Sequence, residues 1–198
     1  MNLITELYSK TGKNPIIITA LGDSLTYGWL VSKGYLDYLG EMLRDKYPDL
    51  KVIIKNHGVP GDTANDGLRR VNRVIEDTPD LCFIQFALND AFTGMSPAVF
   101  KSNIEQLIRK IKSATSAEIL LLTSVPVNNT NENRIAESFY DKIIECSGEF
   151  NIPVVKVHEY WKRKISSGVS HASLVQGDGV HPMEKGYKYM AEAVMEIL

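Results

Sequence analysis

Pro15-Ile16-Ile17-Ile18-Thr19-Ala20-Leu21 runs without interruption into Gly22-Asp23-Ser24-Leu25-Thr26-Tyr27-Gly28, and this junction decides the fold. Three consecutive isoleucines with no polar alternation describe a strand covered on both faces, as in a parallel sheet. Such a strand, ending at a glycine and followed by a serine, delivers that serine to the carboxyl edge of the sheet. In open α/β sheets this is the edge where ligands bind.

Working outward, four more short apolar runs follow, at residues 51–55, 81–88, 118–123 and 152–157. Between them the apolar period lengthens to three and four residues, the spacing of a helix face. Leu36, Leu39, Leu43 and Tyr47 mark one such face; Val99, Phe100, Ile104, Leu107, Ile108 and Ile111 mark another, opened by a Ser96-Pro97 start. Ile135, Phe139, Ile143 and Phe150 form a third, and Tyr187, Met190, Ala191, Val194 and Leu198 a fourth. Strand–helix alternation of this kind predicts an α/β fold, a three-layer α/β/α sandwich on a five-stranded, mostly parallel sheet. With no repeat, linker or low-complexity segment, residues 1–198 read as a single domain.

The bulk properties narrow the function. A chain of 198 residues, 44% hydrophobic, can bury one sizeable core, and a net charge of -2 argues against a nucleic-acid partner. The basic runs Arg69-Arg70 and Lys162-Arg163-Lys164 read as solvated helix faces. Two cysteines make no disulfide framework, and Cys82, inside an apolar run, reads as a small buried hydrophobe. No segment is long enough to span a membrane, and residues 1–14 are polar without a signal-like apolar stretch, so the expected location is cytoplasmic. Oligomeric state is not readable.

The chemistry lies at the two ends of the chain. In Asp178-Gly179-Val180-His181-Pro182 an aspartate three residues before a histidine can turn back and accept a hydrogen bond from the imidazole. The ring could then face Ser24. This is the division of labour in acyl transfer: Ser24 as nucleophile, His181 as general base, Asp178 as the acid that orients the base. Taken singly, Ser24 is an ordinary helix cap, His181-Pro182 a helix start, and Asn89-Asp90 a strand-end turn. Their combination, at the ends of successive strands, carries the reading. His57 reads as structural and Asp23 as a residue that fixes its loop by hydrogen bonds. His171, Asp178 and His181 have no zinc spacing, so no metal is expected. Residues 22–26 also lack the second glycine of a Gly-x-Ser-x-Gly elbow, and no phosphate-binding loop is present.

Four blocks in order resemble the GDSL-type, or SGNH, serine esterase and lipase superfamily over nearly the whole length. They are Gly22-Asp23-Ser24-Leu25-Thr26-Tyr27-Gly28, Asn56-His57-Gly58-Val59-Pro60-Gly61-Asp62-Thr63, Ala87-Leu88-Asn89-Asp90 and Asp178-Gly179-Val180-His181-Pro182. The resemblance implies a flavodoxin-like SGNH hydrolase fold and a catalytic triad of Ser24, Asp178 and His181. It also implies an oxyanion hole from the Ser24 N–H, the Gly61 N–H and the Asn89 side-chain amide, with no cofactor. One departure stands out: Ala87 replaces the glycine that usually opens the third block. If that position needs positive φ, alanine strains it by roughly 1 kcal/mol, and its methyl would narrow the acyl side of the site.

Substrates in the family range from acetylated carbohydrates to lysophospholipids and acyl-thioesters. Tyr27, Trp29, Leu30, Phe92 and Met95 are the candidate pocket residues, and the stretches 92–95 and 127–133 the candidate mobile rims. The favoured expectation is a carboxylester hydrolase acting on a small-molecule ester with a short acyl group, acetyl above all, on an alcohol or sugar. A lysophospholipase or thioesterase is the alternative within the family. A non-catalytic α/β binding module, which Ala87 favours, is the rival from another class.

Overall fold

The computed structural model describes residues 3–198. Five strands, β1 (Ile16–Gly22), β2 (Val52–Gly58), β3 (Leu81–Gln85), β4 (Glu118–Leu122) and β5 (Val154–Val155), form one sheet in the order β2-β1-β3-β4-β5. All four pairings are parallel, so the sheet is wholly parallel. β1 lies at the centre of the polar edge because its register sets Gly22 opposite both Gly58 of β2 and Gln85 of β3.

The helices follow from the strand order. After β1 the chain moves outward to β2, then crosses back over β1 to β3. Right-handed crossovers therefore place the first connection on one face and the later ones on the other. Accordingly α3 (Tyr35–Lys46) packs with α9 (Glu184–Met195), and α8 (Val157–Ser166) packs on α9. Within the opposite layer α4 (Ala64–Glu76) packs on α6 (Pro97–Ala114), and α6 on α7 (Thr130–Phe150). Two short helices, α2 (Ser24–Tyr27) and α5 (Leu88–Phe92), sit at the carboxyl ends of β1 and β3. α1 (Leu3–Thr11) precedes the sheet and buries Ile4 and Leu7. Fully buried side chains of β1, β3 and β4 form the centre of the core, among them Ile16, Ile18, Leu21, Phe83, Leu120 and Leu121.

Several boundaries differ from the sequence reading. The third strand stops at Gln85 because Ala87, at φ 151° and ψ -41°, turns the chain out of extended geometry into α5. The fifth shrinks to Val154–Val155, and Val157 already begins α8. Val99 and Ile135, placed on core-facing stripes by their spacing, are exposed, while Ser96 caps α6 as expected, its Oγ accepting from the Val99 N–H at 3.3 Å. Most of the stretch 127–133 is not a loop: Asn129 caps α7, accepting from the N–H groups of Asn131 and Glu132. Cys82 and Cys146 are both buried and free. Among the described residues no helix is long and apolar enough to cross a membrane.

Candidate active site

β1 ends where Asp23 caps α2, its Oδ1 accepting from the Leu25 N–H at 2.9 Å. This places Ser24 at the first helical position, where a backbone N–H has no acceptor within the helix. Ser24 Oγ lies 3.0 Å from His181 Nε2, and His181 Nδ1 lies 2.6 Å from Asp178 Oδ2. The other Asp178 oxygen, Oδ1, accepts from the backbone N–H groups of Val180 and His181, each at 2.9 Å. One carboxylate thus closes its own loop with one oxygen and holds the imidazole with the other. Partial burial pushes the Asp178 carboxyl up, but the hydrogen bonds from Val180, the His181 ring and the His181 N–H outweigh it and hold the group below the ordinary carboxylate range.

Gln176 anchors the histidine loop to the serine loop. Its Nε2 donates to the carbonyls of Trp29 and Pro182, both at 3.0 Å, and its N–H donates to the His181 carbonyl at 2.7 Å. The Trp29 ring lies 6.4 Å from the His181 ring, centroid to centroid, and 6.3 Å from Tyr27.

The second block folds for a legible reason. Val59-Pro60-Gly61-Asp62 is a turn closed by the Asp62 N–H on the Val59 carbonyl at 3.2 Å, with Gly61 at φ 85°. Proline then glycine at the two central positions is the type II signature, and the glycine supplies the positive φ. The turn uses the N–H of Asp62 and leaves that of Gly61 out. From the third block, Asn89 Nδ2 donates to the Asp62 carbonyl at 2.8 Å, which leaves its second amide hydrogen for another acceptor. Asp90, next in line, accepts from the Ala64 N–H at the start of α4 through Oδ1, while its buried Oδ2 has no partner. Burial pushes the Asp90 carboxyl up to about 6, against the pull of the Ala64 N–H.

Beneath Ser24 lies a polar layer that the motifs alone do not disclose. Gln85 Oε1 accepts from Thr26 Oγ1 at 2.7 Å, and Gln85 Nε2 donates to Ser124 Oγ at 2.9 Å and to Asp23 Oδ2 at 3.4 Å. Burial pushes the Asp23 carboxyl up to about 7, opposed by the Leu25 N–H. The available signal was a glutamine in the otherwise apolar run Leu-Cys-Phe-Ile-Gln-Phe.

The candidate pocket residues separate. Tyr27, Leu30 and Phe92 are exposed, with Leu30 72% accessible, and Trp29 stands beside His181. Met95 instead packs against the core, near Asn103. Ala87 does adopt positive φ, so the strain argument applies, but the residue is wholly buried and its methyl does not narrow the cleft. His57 pairs with Asp77 at 2.6 Å, and His171 Nε2 meets the Pro126 carbonyl at 3.1 Å; neither touches Ser24 or His181.

A serine in line with an imidazole and a carboxylate, at the switch point of a parallel α/β sheet, is the constellation that serine hydrolases share. The sequence pattern of the GDSL-like lipase/acylhydrolase family matches residues 20–189, and the chain belongs to that family. An arylesterase from Vibrio mimicus is 28% identical over 187 residues, which span 91% of this chain and 87% of the relative. An acetylxylan esterase from Xylanibacter ruminicola is 25% identical over 217 residues, taking in 92% of this chain and 43% of that longer protein. Among solved structures, an acetylxylan esterase from Geobacillus stearothermophilus has the same fold with a TM-score of 0.81 at 21% identity, over 93% of this chain and 94% of that one. A lipase/acylhydrolase from Enterococcus faecalis gives 0.78 at 24% identity, over 91% and 94%.

Proposed function

We propose that this serine ester hydrolase works through an acyl-enzyme on Ser24 and removes a short acyl group, acetyl above all, from an alcohol or sugar. The observation that carries the mechanism is the unbroken line from Asp178 Oδ2 through the His181 ring to Ser24 Oγ, at 2.6 and 3.0 Å. Ser24 Oγ attacks the ester carbonyl as His181 Nε2 takes its proton, and Asp178 stabilises the resulting imidazolium. The carbonyl oxygen becomes an oxyanion facing the N–H groups of Ser24 and Gly61 and the free amide hydrogen of Asn89. Collapse of the tetrahedral centre breaks the bond to the alcohol, which leaves with the proton from His181. Water then enters, gives its proton to the same nitrogen, attacks the acyl-serine and releases the acid, and Ser24 recovers its hydrogen. No metal or cofactor takes part in this scheme.

The short acyl group is supported by the two acetylxylan esterases that this chain resembles, and the ester class by the arylesterase as well. The exposed apolar rim of Tyr27, Leu30 and Phe92 is the observation on the side of a longer chain, as in a lysophospholipase or thioesterase. One assay separates these: aryl esters from acetyl to dodecanoyl, with Ser24→Ala beside the wild type. Turnover confined to the shortest esters and absent from the variant is the expected result. Rates that rise with chain length would move the substrate to lipids. Full activity in Ser24→Ala would remove the mechanism altogether.

A further inference from the structure

Arg70 looks like half of a surface pair in the sequence, and its neighbour Arg69 is one, with 72% of its side chain accessible. Arg70 is different: its side chain is 14% accessible and all three of its guanidinium nitrogens are engaged. Nε donates to Asp62 Oδ2 at 2.6 Å, one terminal nitrogen donates to the His57 carbonyl at 2.6 Å, and the other to the Gly22 carbonyl at 2.8 Å.

These acceptors are not scattered. Gly22 is the last residue of β1, directly before Asp23 and Ser24, and His57 is next to last in β2. Asp62 directly follows Gly61, and its carbonyl receives the Asn89 amide. The Gly22 carbonyl also accepts the Val59 N–H at 3.0 Å, so the loop carrying Gly61 is already tied to the strand that leads into Ser24. A planar fork with five fixed donors can hold such acceptors in one geometry; a lysine ammonium, a point charge on a flexible stem, cannot.

We propose that Arg70 is the positioning residue of the oxyanion hole, locking the Gly61–Asp62 turn, and with it the Asn89 amide, to the end of the strand that leads into Ser24. It touches no substrate. It acts by keeping donors from two loops aimed at one point, an effect felt in the transition state and little in substrate binding. The inference rests on the oxyanion role proposed for Gly61 and Asn89.

The test uses Arg70→Ala and Arg70→Lys, with Ser24→Ala alongside, on the best aryl ester. Folded fraction is followed by circular dichroism at a temperature well below unfolding. Arg70→Ala should lose about 100-fold in kcat, the scale of a 1 Å misplacement, with KM within about threefold of wild type. The pH midpoint of kcat should not move, because the Asp178–His181 pair is untouched. Guanidinium ion at sub-denaturing concentration should restore part of the rate to Arg70→Ala and none to Ser24→Ala. If Arg70→Ala does not fold, Arg70→Lys decides, with an expected loss of about 10-fold in kcat. A folded Arg70→Lys with wild-type kcat overturns the proposal. So does a folded Arg70→Ala whose loss merely follows its folded fraction and does not respond to guanidinium. Activity surviving in Ser24→Ala would instead sink the acyl-enzyme mechanism, so the two failures are distinguishable.

Discussion

Gly58 is the position where one methyl group should do the most damage to the site. It ends β2 opposite Gly22, and α2 lies directly against it. A Cβ there would sit 2.1 Å from the Tyr27 nitrogen and 2.6 Å from both Thr26 C and Tyr27 Cα. All three are backbone atoms, so no side-chain rotation relieves the clash. Bringing the closest contact to an ordinary 3.4 Å requires about 1.3 Å of separation between β2 and α2. Ser24 stands three residues before Tyr27 on the same short helix. Passing on half of that shift would open the Ser24–His181 contact from 3.0 Å to about 3.6 Å, beyond hydrogen-bond reach. Gly58→Ala should therefore lose about 100-fold in kcat on an acetyl aryl ester. Overpacking should also lower stability by roughly 1–3 kcal/mol. Gly148→Ala is the matched comparison: it lies in α7 with nothing within 4 Å of its added methyl, and should gain up to about 1 kcal/mol with unchanged activity. Both variants are read by steady-state kinetics and thermal unfolding. A Gly58→Ala protein with wild-type kcat and unchanged Tm would refute the packing argument, because it would mean that the added methyl fits without driving α2 away from β2.

Asp178→Asn keeps an oxygen for the Val180 and His181 N–H groups but disturbs the ring contact, so kcat should fall by ~10³–10⁴ with little change in Tm; a loss below about tenfold would deny Asp178 its orienting role. Asp90 gives a pH test. Its carboxyl is raised in the folded protein to about 6, so between the unfolded value and that pH the folded state holds a proton the unfolded chain has released. On that account stability falls as pH rises through the window, by roughly 2–3 kcal/mol at most from Asp90, and Asp23, raised to about 7, adds a fall of the same sign; Asp90→Asn should make the profile shallower and leave the Asp23 share, and an unaltered pH profile in denaturant unfolding would exclude the Asp90 contribution. Asp66, Asp77 and Asp178 work in the opposite sense, being held low. Their contribution is present above pH ~4 and lost as pH drops through their folded values, so acid unfolding of Asp77→Asn should show a shallower pH dependence than wild type.

The parallel sheet was legible because its strands are short, doubly buried and separated by helical period. Elsewhere local signals compete. The run 81–88 is apolar throughout, yet the chain turns at Ala87, and hydrophobicity alone carries no information about φ. α4 escaped notice because its buried positions, Ala64, Gly67, Val71 and Val74, are small or sparse among charges. Its start was nonetheless written in Thr63-Ala64-Asn65-Asp66, where Thr63 and Asp66 form a reciprocal cap. With no apolar stripe to orient that helix, Arg69-Arg70 reads as one solvated face, whereas the fold leaves Arg69 outside and turns Arg70 inward. The proposed triad needs residue types at strand ends, and those can be read in order along the chain. Gln85, Gln176 and Arg70 act on backbone carbonyls or buried side chains of other segments, and no spacing rule reports such partners in advance.

Ser24 and His181 meet across 157 positions of sequence. At a synthesis rate of about 5–20 residues per second, roughly 8–30 s separate the emergence of the serine from that of its proposed base. Throughout that interval the growing chain holds a hydroxyl with nothing to take its proton. On the proposed mechanism it would cleave no ester until the loop before α9 arrives, and chain order alone would withhold reactivity from the nascent polypeptide.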